Sequence, residues 1–281
     1  MAALALVMAA ISFFLSRMGT VLDYEWNWAA IPKYFMFKDH STGSWVPNIL
    51  ILGFFTTVKL SFWATILAFV LGTLSGIMGA RGDGFQRFVS HIYVEIVRNI
   101  PSLVLLIVFY YFVSSRFLDI LGIDVWLRES SPSVRDAVGL IMAGPGQING
   151  FISAVVALGL YEGAYISEIV RGGIQGLPRG QWEAAYSMGL SGPQTFMLVI
   201  LPQAFRKVAF PLAGQFISTI KDSAIVSVIS IQELTFQGME LMAATFLTFE
   251  VWVTVTFLYF VLTFSLSMVI GCFERKFSPG T

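Results

Sequence analysis

Charge is what this chain has least of. Only 12% of its 281 residues are Asp, Glu, Lys or Arg, while 56% are hydrophobic. Soluble domains carry roughly a quarter charged residues, so the deficit excludes an ordinary soluble fold and describes a chain that lives in lipid. The basic and acidic residues cancel to a formal net charge of zero, which leaves no electrostatic footprint for nucleic acid. The single cysteine, Cys272, rules out an internal disulfide and a cysteine zinc site, and at the end of an apolar run it reads as a small hydrophobe. The histidines, His40 and His91, are far apart and have no carboxylate at ligand spacing, so no metal site is expected. No G-x-x-x-x-G-K-[ST] loop is present. The nearest glycine cluster, "GARGDG" at 79–84, lacks the lysine and reads as a turn between membrane helices. No cofactor is expected in this chain, and any nucleotide must be held by another.

What the chain has instead is long apolar runs. A membrane helix needs about 20 mostly apolar residues, and six segments qualify. They are Met1 to about Leu22, Ile49 to Met78, Ile100 to Val113, Phe151 to Val170, Val208 to Ile231, and Phe246 to Cys272. The first carries Arg17 but has no basic start and no small-x-small cleavage site behind it, so a retained helix is favoured over a secretion signal. The organisation expected is an N-terminal helix and outer loop over 1–47, a transmembrane domain over 48–272, and a short cytoplasmic tail over 273–281.

Lysine and arginine near the span ends set the direction. With the N-terminus inside, Arg81, Arg87, Arg98, Arg171, Arg179, Arg206, Lys207, Arg275 and Lys276 are cytoplasmic, and 233–245 outside has no basic residue. The main outer insertion is 114–148, where "ESSPSVRDA" and "AGPGQING" carry turn residues and "VWL" forms a short interfacial helix. No internal repeat is visible.

One segment breaks the apolar pattern. In "QWEAAYSMGLSGPQTFMLVILPQAFRK", residues 181–207, Trp182, Ala185, Tyr186 and Gly189 share one face of a short helix. Gly189 is placed to end it in the left-handed turn. Ser191 and Gln194 then have capping-box spacing, with Pro193 in the first turn, and Pro202 is expected to disrupt the second helix. Two short helices at the inner surface either rest on headgroups or dock a protein. Lipid-seated helices carry lysine and arginine on the polar face, yet 181–203 has none, which favours docking.

"EAAYSMGLSGPQTFMLVILP" resembles the signature of permease subunits of ATP-binding-cassette (ABC) importers, with Glu183, Ala184, Ala185, Gly189, Leu201 and Pro202 in the expected places and Val199 replacing the usual isoleucine. "GAYISEIVRGGIQGLPRGQWEAA" at 163–185 and "QFISTIKDSAIVSVISIQEL" at 215–234 are similar to the branch that takes up polar amino acids. So is "YVEIVRNIPSLVLLIVFYY" at 93–111, apart from Asn99 in place of glycine and Leu105 in place of glutamine. The resemblance spans roughly 48–272. It implies an all-α integral membrane protein with the five core helices of the type I importer permease fold, plus the extra N-terminal helix, in a bacterial inner membrane. It also implies that Gln181, Trp182, Glu183, Ala184, Ala185, Gly189, Leu190, Leu201 and Pro202 meet a separate ATPase subunit that holds ATP and magnesium. A second permease, identical or related, and an external amino-acid-binding protein complete the expected partners.

Ionisable residues inside spans are the default functional candidates. Glu162, Lys221 and Lys59 are the substrate-path candidates, because an amino acid carries both charges. Lys59 alternatively snorkels. Glu168, Arg171 and Asp222 are structural ion-pair candidates, Glu168 and Arg171 standing three residues apart. Gly163 either allows close helix approach or, like Gly172, Gly173 and Gly176, punctuates the chain, and for those last three punctuation is favoured. An intramembrane enzyme would need a nucleophile–base pair or metal ligands within the spans, and the serines have no obvious base. An ion-driven carrier could use Glu162 and Asp222, but would leave the cytoplasmic signature unexplained. The reading is a transport subunit for polar amino acids, of the glutamate, aspartate, glutamine or basic type.

Overall fold

The computed structural model describes residues 24–40 and 43–277, with isolated positions at Ala9, Ser12, Phe13 and Arg17. The predicted first span therefore lies outside the described residues apart from those four. From Tyr24 onward the chain crosses one end of the bundle as a 3-10 turn, Trp28–Tyr34, and a small hairpin of β1 (Met36–Lys38) and β2 (Trp45–Pro47). Asn48 then caps α1 (Ile49–Arg81), its side chain accepting from the Ile49 amide.

Two further helices complete the centre and edge of the bundle: α7 (Ile148–Gln175) and α11 (Thr248–Phe277). The fourth long run spans Gly192–Ile229, with α9 (Leu201–Asp222) as its main part. Among the described residues, four helices are long and apolar enough to cross a membrane, and a fifth if one bent pair counts as a span. That pair is α2 (Gly84–Asn99) and α3 (Ser102–Val108), which meet at 108°. The third span expected over 100–113 thus starts at a corner, with the helix beyond it running from Ser102. Ile100 precedes a proline, whose ring disfavours helical backbone there, and it sits extended at φ −94°, ψ 133°.

The heart of the fold is the α1–α7 pair. Gly72 and Gly76 lie one turn apart on α1, and a Cβ on either would sit 2.6 Å from a backbone oxygen of α7, that of Gly163 or Ser167. Small residues spaced four apart let helix backbones touch, the usual way to associate in lipid where apolar burial gives no advantage. Hydroxyls tie the same seam: Ser167 donates to Ser75 Oγ (3.0 Å) and Ser90 of α2 donates to the Ser75 carbonyl (2.8 Å). Tyr93 of α2 donates to the Leu160 carbonyl (2.7 Å). Gly173 does not merely punctuate the chain, because α7 runs on to Gln175 and a Cβ there would overlap Val208 Cγ1 of α9. It is a second close-approach point.

Apolar packing follows this frame. Leu60, Phe151, Leu158 and Val226 form one cluster toward the Ile229 end, and Ile166, Phe196 and Ile200 another toward the opposite end. α10 (Leu234–Thr245) packs across α1 and α11 through Leu50, Leu234, Leu241 and Val251. The outer faces stay apolar, as lipid requires: Phe257, Phe260, Phe264 and Met268 of α11 are exposed. α11 runs on past Gly271 to Phe277, so the first residues of the expected tail continue the helix. At the other end of α11, Glu250 accepts from the Tyr24 hydroxyl and from the Asn27 amide (2.7 Å), strapping the entry segment to the last helix.

Candidate functional site

The conspicuous break in the sequence becomes α8 (Arg179–Ser187), a short helix between α7 and the Gly192–Ile229 run. Gly189 ends it at φ +81°, a conformation costly for a side chain bearing Cβ. After the turn the Gln194 side chain accepts from the Ser191 amide (2.9 Å), the box the spacing predicts.

Of the predicted face, Trp182 packs against the cluster of Phe196 and Ile200 and Ala185 is buried, while Tyr186 is exposed. One expectation fails here. Pro202 does not disrupt the second helix. The chain forms a π turn at Thr195–Ile200, in which the Leu201 amide reaches the Phe196 carbonyl five residues back. Pro202 then takes an early position of α9, where its missing N–H leaves no broken bond. Arg81, at the end of α1, lies over the Phe196 ring at 4.6 Å and pins the π turn to the bundle.

What α8 leaves outside is Gln181, Glu183, Ala184, Tyr186 and Met188, with Gly189 beyond. Met188 is 81% exposed. Leu190 and Leu201 are half-buried, and Pro202 is exposed. Glu183 makes no side-chain hydrogen bond or ion pair among the described residues, whereas Gln181 is held by Gln203 (3.1 Å). Lys207 donates to the Gly176 carbonyl (2.8 Å), closing the end of α7 and fixing the start of the loop. The result is a small, rigidly mounted surface with a free carboxylate beside alanine and exposed apolar side chains.

The ionisable residues of the spans separate into three places. Arg171 donates to Glu168 through two nitrogens, at 2.8 and 2.6 Å, and Arg98 approaches the same carboxylate at 3.8 Å. Glu162 is fully buried between α7 and α9; Gln215 donates to its Oε2, while Oε1 has no partner among the described residues. Asp222 lies near enough to interact with it, and makes no ion pair among the described residues. Lys221 is exposed. Gln215 was legible only as part of the 215–234 motif, since no spacing rule pairs it with Glu162.

The third place is a cavity of about 720 Å³ at the Ile229 end. Its outer wall is the insertion, folded as α4 (Ser115–Leu121), α5 (Ile123–Glu129) and α6 (Pro132–Ile141). "VWL" does fall in a short helix, α5. Lys59 of α1 reaches the cavity and donates to the Gly139 carbonyl (3.1 Å), so it bridges to α6 as well as facing open space. Trp63 fastens the same region through the Ile141 carbonyl (3.1 Å). Asp124 pairs with Arg128 at 2.6 Å and accepts from the Gly146 amide. The Arg128 hydrogen bond holds the Asp124 carboxyl below its ordinary range. Asp119, Asn149 and Gln237 also line the cavity. The single-sequence reading missed them, although an amide within the apolar Leu234–Thr245 run was a visible signal. Among the described residues, no group of three His, Cys, Asp or Glu lies close enough to hold a metal ion.

Residues 68–279 match the family described as the binding-protein-dependent transport system inner membrane component. The chain is 29% identical over 256 residues to the glutamate/aspartate import permease protein GltJ of Escherichia coli, covering 91% of this chain and 96% of that one. It is 33% identical over 224 residues to the probable glutamine ABC transporter permease protein GlnM of Bacillus subtilis, covering 80% and 91%. Among solved structures, an amino acid ABC transporter with histidines superposes at a TM-score of 0.68 with 28% identity, over 90% of this chain and 100% of that one. An inward-facing form of the MetNI methionine ABC transporter superposes at 0.60 with 22% identity, which speaks to the fold alone. The chain therefore belongs to the inner-membrane components of binding-protein-dependent transport systems, as a multi-pass permease subunit of an ABC importer that is not itself an enzyme.

Proposed function

We propose that this permease carries polar amino acids inward, with α8 seated in a groove of a separate ATPase subunit that binds ATP and magnesium. A second permease completes the pathway, and an external amino-acid-binding protein delivers the substrate. The observation that carries the docking assignment is the free Glu183 carboxylate on a helix whose other face is locked into the bundle by Trp182 and Ala185. A charged group already satisfied within its own chain would have little to offer a partner, and this one is unsatisfied. Nucleotide binding favours one ATPase arrangement, and the docked helix transmits that preference to the spans. The amino acid class rests on the relatives, whose names specify glutamate, aspartate and glutamine.

The test is uptake of labelled glutamate, glutamine, histidine and cystine into proteoliposomes. The permease is reconstituted alone, then with its ATPase and binding-protein partners. Uptake that requires the partners and ATP is the expected result. Uptake by the permease alone on an ion gradient would overturn the proposal.

Glu162 is the intramembrane group assigned to the path. A buried carboxylate with one unsatisfied oxygen awaits a donor, and a substrate ammonium is one. Glu162→Gln keeps the size and the Gln215 contact. We expect uptake at least about fivefold slower, the loss of one charge-assisted hydrogen bond, with the fold retained. Unchanged uptake across acidic, neutral and basic amino acids would leave Glu162 with a packing role only.

A further inference from the structure

The cavity at the Ile229 end is lined by two anions and two cations: Asp119, Asp124, Lys59 and Arg128. Asp124 and Arg128 neutralise each other at 2.6 Å. What remains is one cation and one anion without an ion-pair partner among the described residues, Lys59 and Asp119. Lys59 donates to Gly139 and has further N–H groups to offer, while Asp119 accepts from Asn149 Nδ2 at 3.0 Å and has further lone pairs. Two amide oxygens of its lining residues, Asn149 Oδ1 of α7 and Gln237 Oε1 of α10, are buried and have no hydrogen-bond partner among the described residues. Gln237 is only 6% exposed.

Unsatisfied buried acceptors cost about 1–3 kcal/mol each, and a polar cavity retains them where something supplies the donors. Three acceptors and one ammonium are a complement for a small molecule with one positive and one negative group. We infer that this cavity is an entry site for the free zwitterionic amino acid, its carboxylate at Lys59 and its ammonium among Asp119, Asn149 and Gln237. The inference rests on the importer reading and adds to it a second, outer station that recognises the backbone of the substrate rather than its side chain. Phe55, Phe151 and Ile231 give the cavity an apolar share for the side chain, which sets no charge requirement there. Selectivity among amino acids therefore belongs elsewhere, to the binding protein or to the buried Glu162 region.

The experiment measures equilibrium binding of labelled glutamate, glutamine, histidine and cystine to the full permease in nanodiscs, without ATPase or binding protein. Wild type is compared with Lys59→Met, Lys59→Arg and Gln237→Leu, each first shown to elute and melt like wild type. Saturable binding of at least one of the four, weakened at least about tenfold by Lys59→Met and by Gln237→Leu and largely kept by Lys59→Arg, is expected. If Lys59→Met does not fold, the Gln237→Leu comparison decides alone. Absence of saturable binding to wild type up to about 10 mM, or binding unchanged by the substitutions, would overturn the inference. Neither outcome depends on ATP-driven uptake, so the cavity assignment and the importer reading fail separately.

Discussion

We expect Glu183→Lys to weaken association with the ATPase severely while leaving the permease inserted and folded. Glu183 is exposed and has no side-chain partner among the described residues, so reversing its charge removes no contact there, and exposed substitutions of that kind shift stability by no more than about 0.5 kcal/mol. In the docked state proposed above, the same carboxylate faces the ATPase and is desolvated. Removing one member of a buried charge-assisted contact costs about 2–5 kcal/mol, and a lysine adds repulsion where the carboxylate found attraction. The affinity falls at least about thirtyfold, and ATP-dependent uptake falls with it. Co-purification of the mutant with ATPase, beside its melting curve in detergent, checks both halves. A mutant that keeps its partner at wild-type yield removes Glu183 from the interface.

The second large effect concerns the seam between α1 and α7. Gly76→Leu places a Cβ 2.6 Å from the Ser167 carbonyl and 2.8 Å from Val170 Cβ, before the rest of the side chain is added. Backbone cannot step aside as a flexible side chain can, so the helices must separate and the Ser75–Ser167 hydroxyl contact goes with them. Overpacking of this kind costs about 3 kcal/mol. Gly172→Leu is the control on the same pair of helices, since a Cβ there meets nothing within 4 Å. Replacing a helical glycine in open space gains up to about 1 kcal/mol of helix propensity. Thermal unfolding in detergent should thus move in opposite directions for the two variants, and equal melting temperatures would refute the seam.

The spans of α1 and α7 were legible because each is a long, mostly apolar run holding only isolated charges, Lys59 in one and Glu162 and Glu168 in the other, and the docking loop because its glycine and missing cations break the pattern. Proline was read less well. At Pro101 the backbone does break, yet the preceding amphipathic helix packs against α1 and α7 and turns the span into a corner, which local hydropathy cannot foresee. At Pro202 the opposite holds: a five-residue hydrogen bond to Phe196 absorbs the proline and the helix continues. Gly173 was misassigned for a related reason, since only the neighbouring helix reveals that its missing Cβ is needed. The polar lining of the cavity comes from α1, the insertion and α10 together, and no window along one sequence brings Lys59, Asp119 and Gln237 into view at once.

Because Pro202 leaves the run from Gly192 to Ile229 continuous, the docking loop and the cavity adjoin the two ends of one helical segment on the order of 55 Å along its contour. Arg81 over Phe196 holds it near the inner end, and Ile229 borders the cavity at the other. The surface proposed to meet the ATPase and the wall of the outer cavity are thus joined by a single hydrogen-bonded element rather than by separate packed pieces.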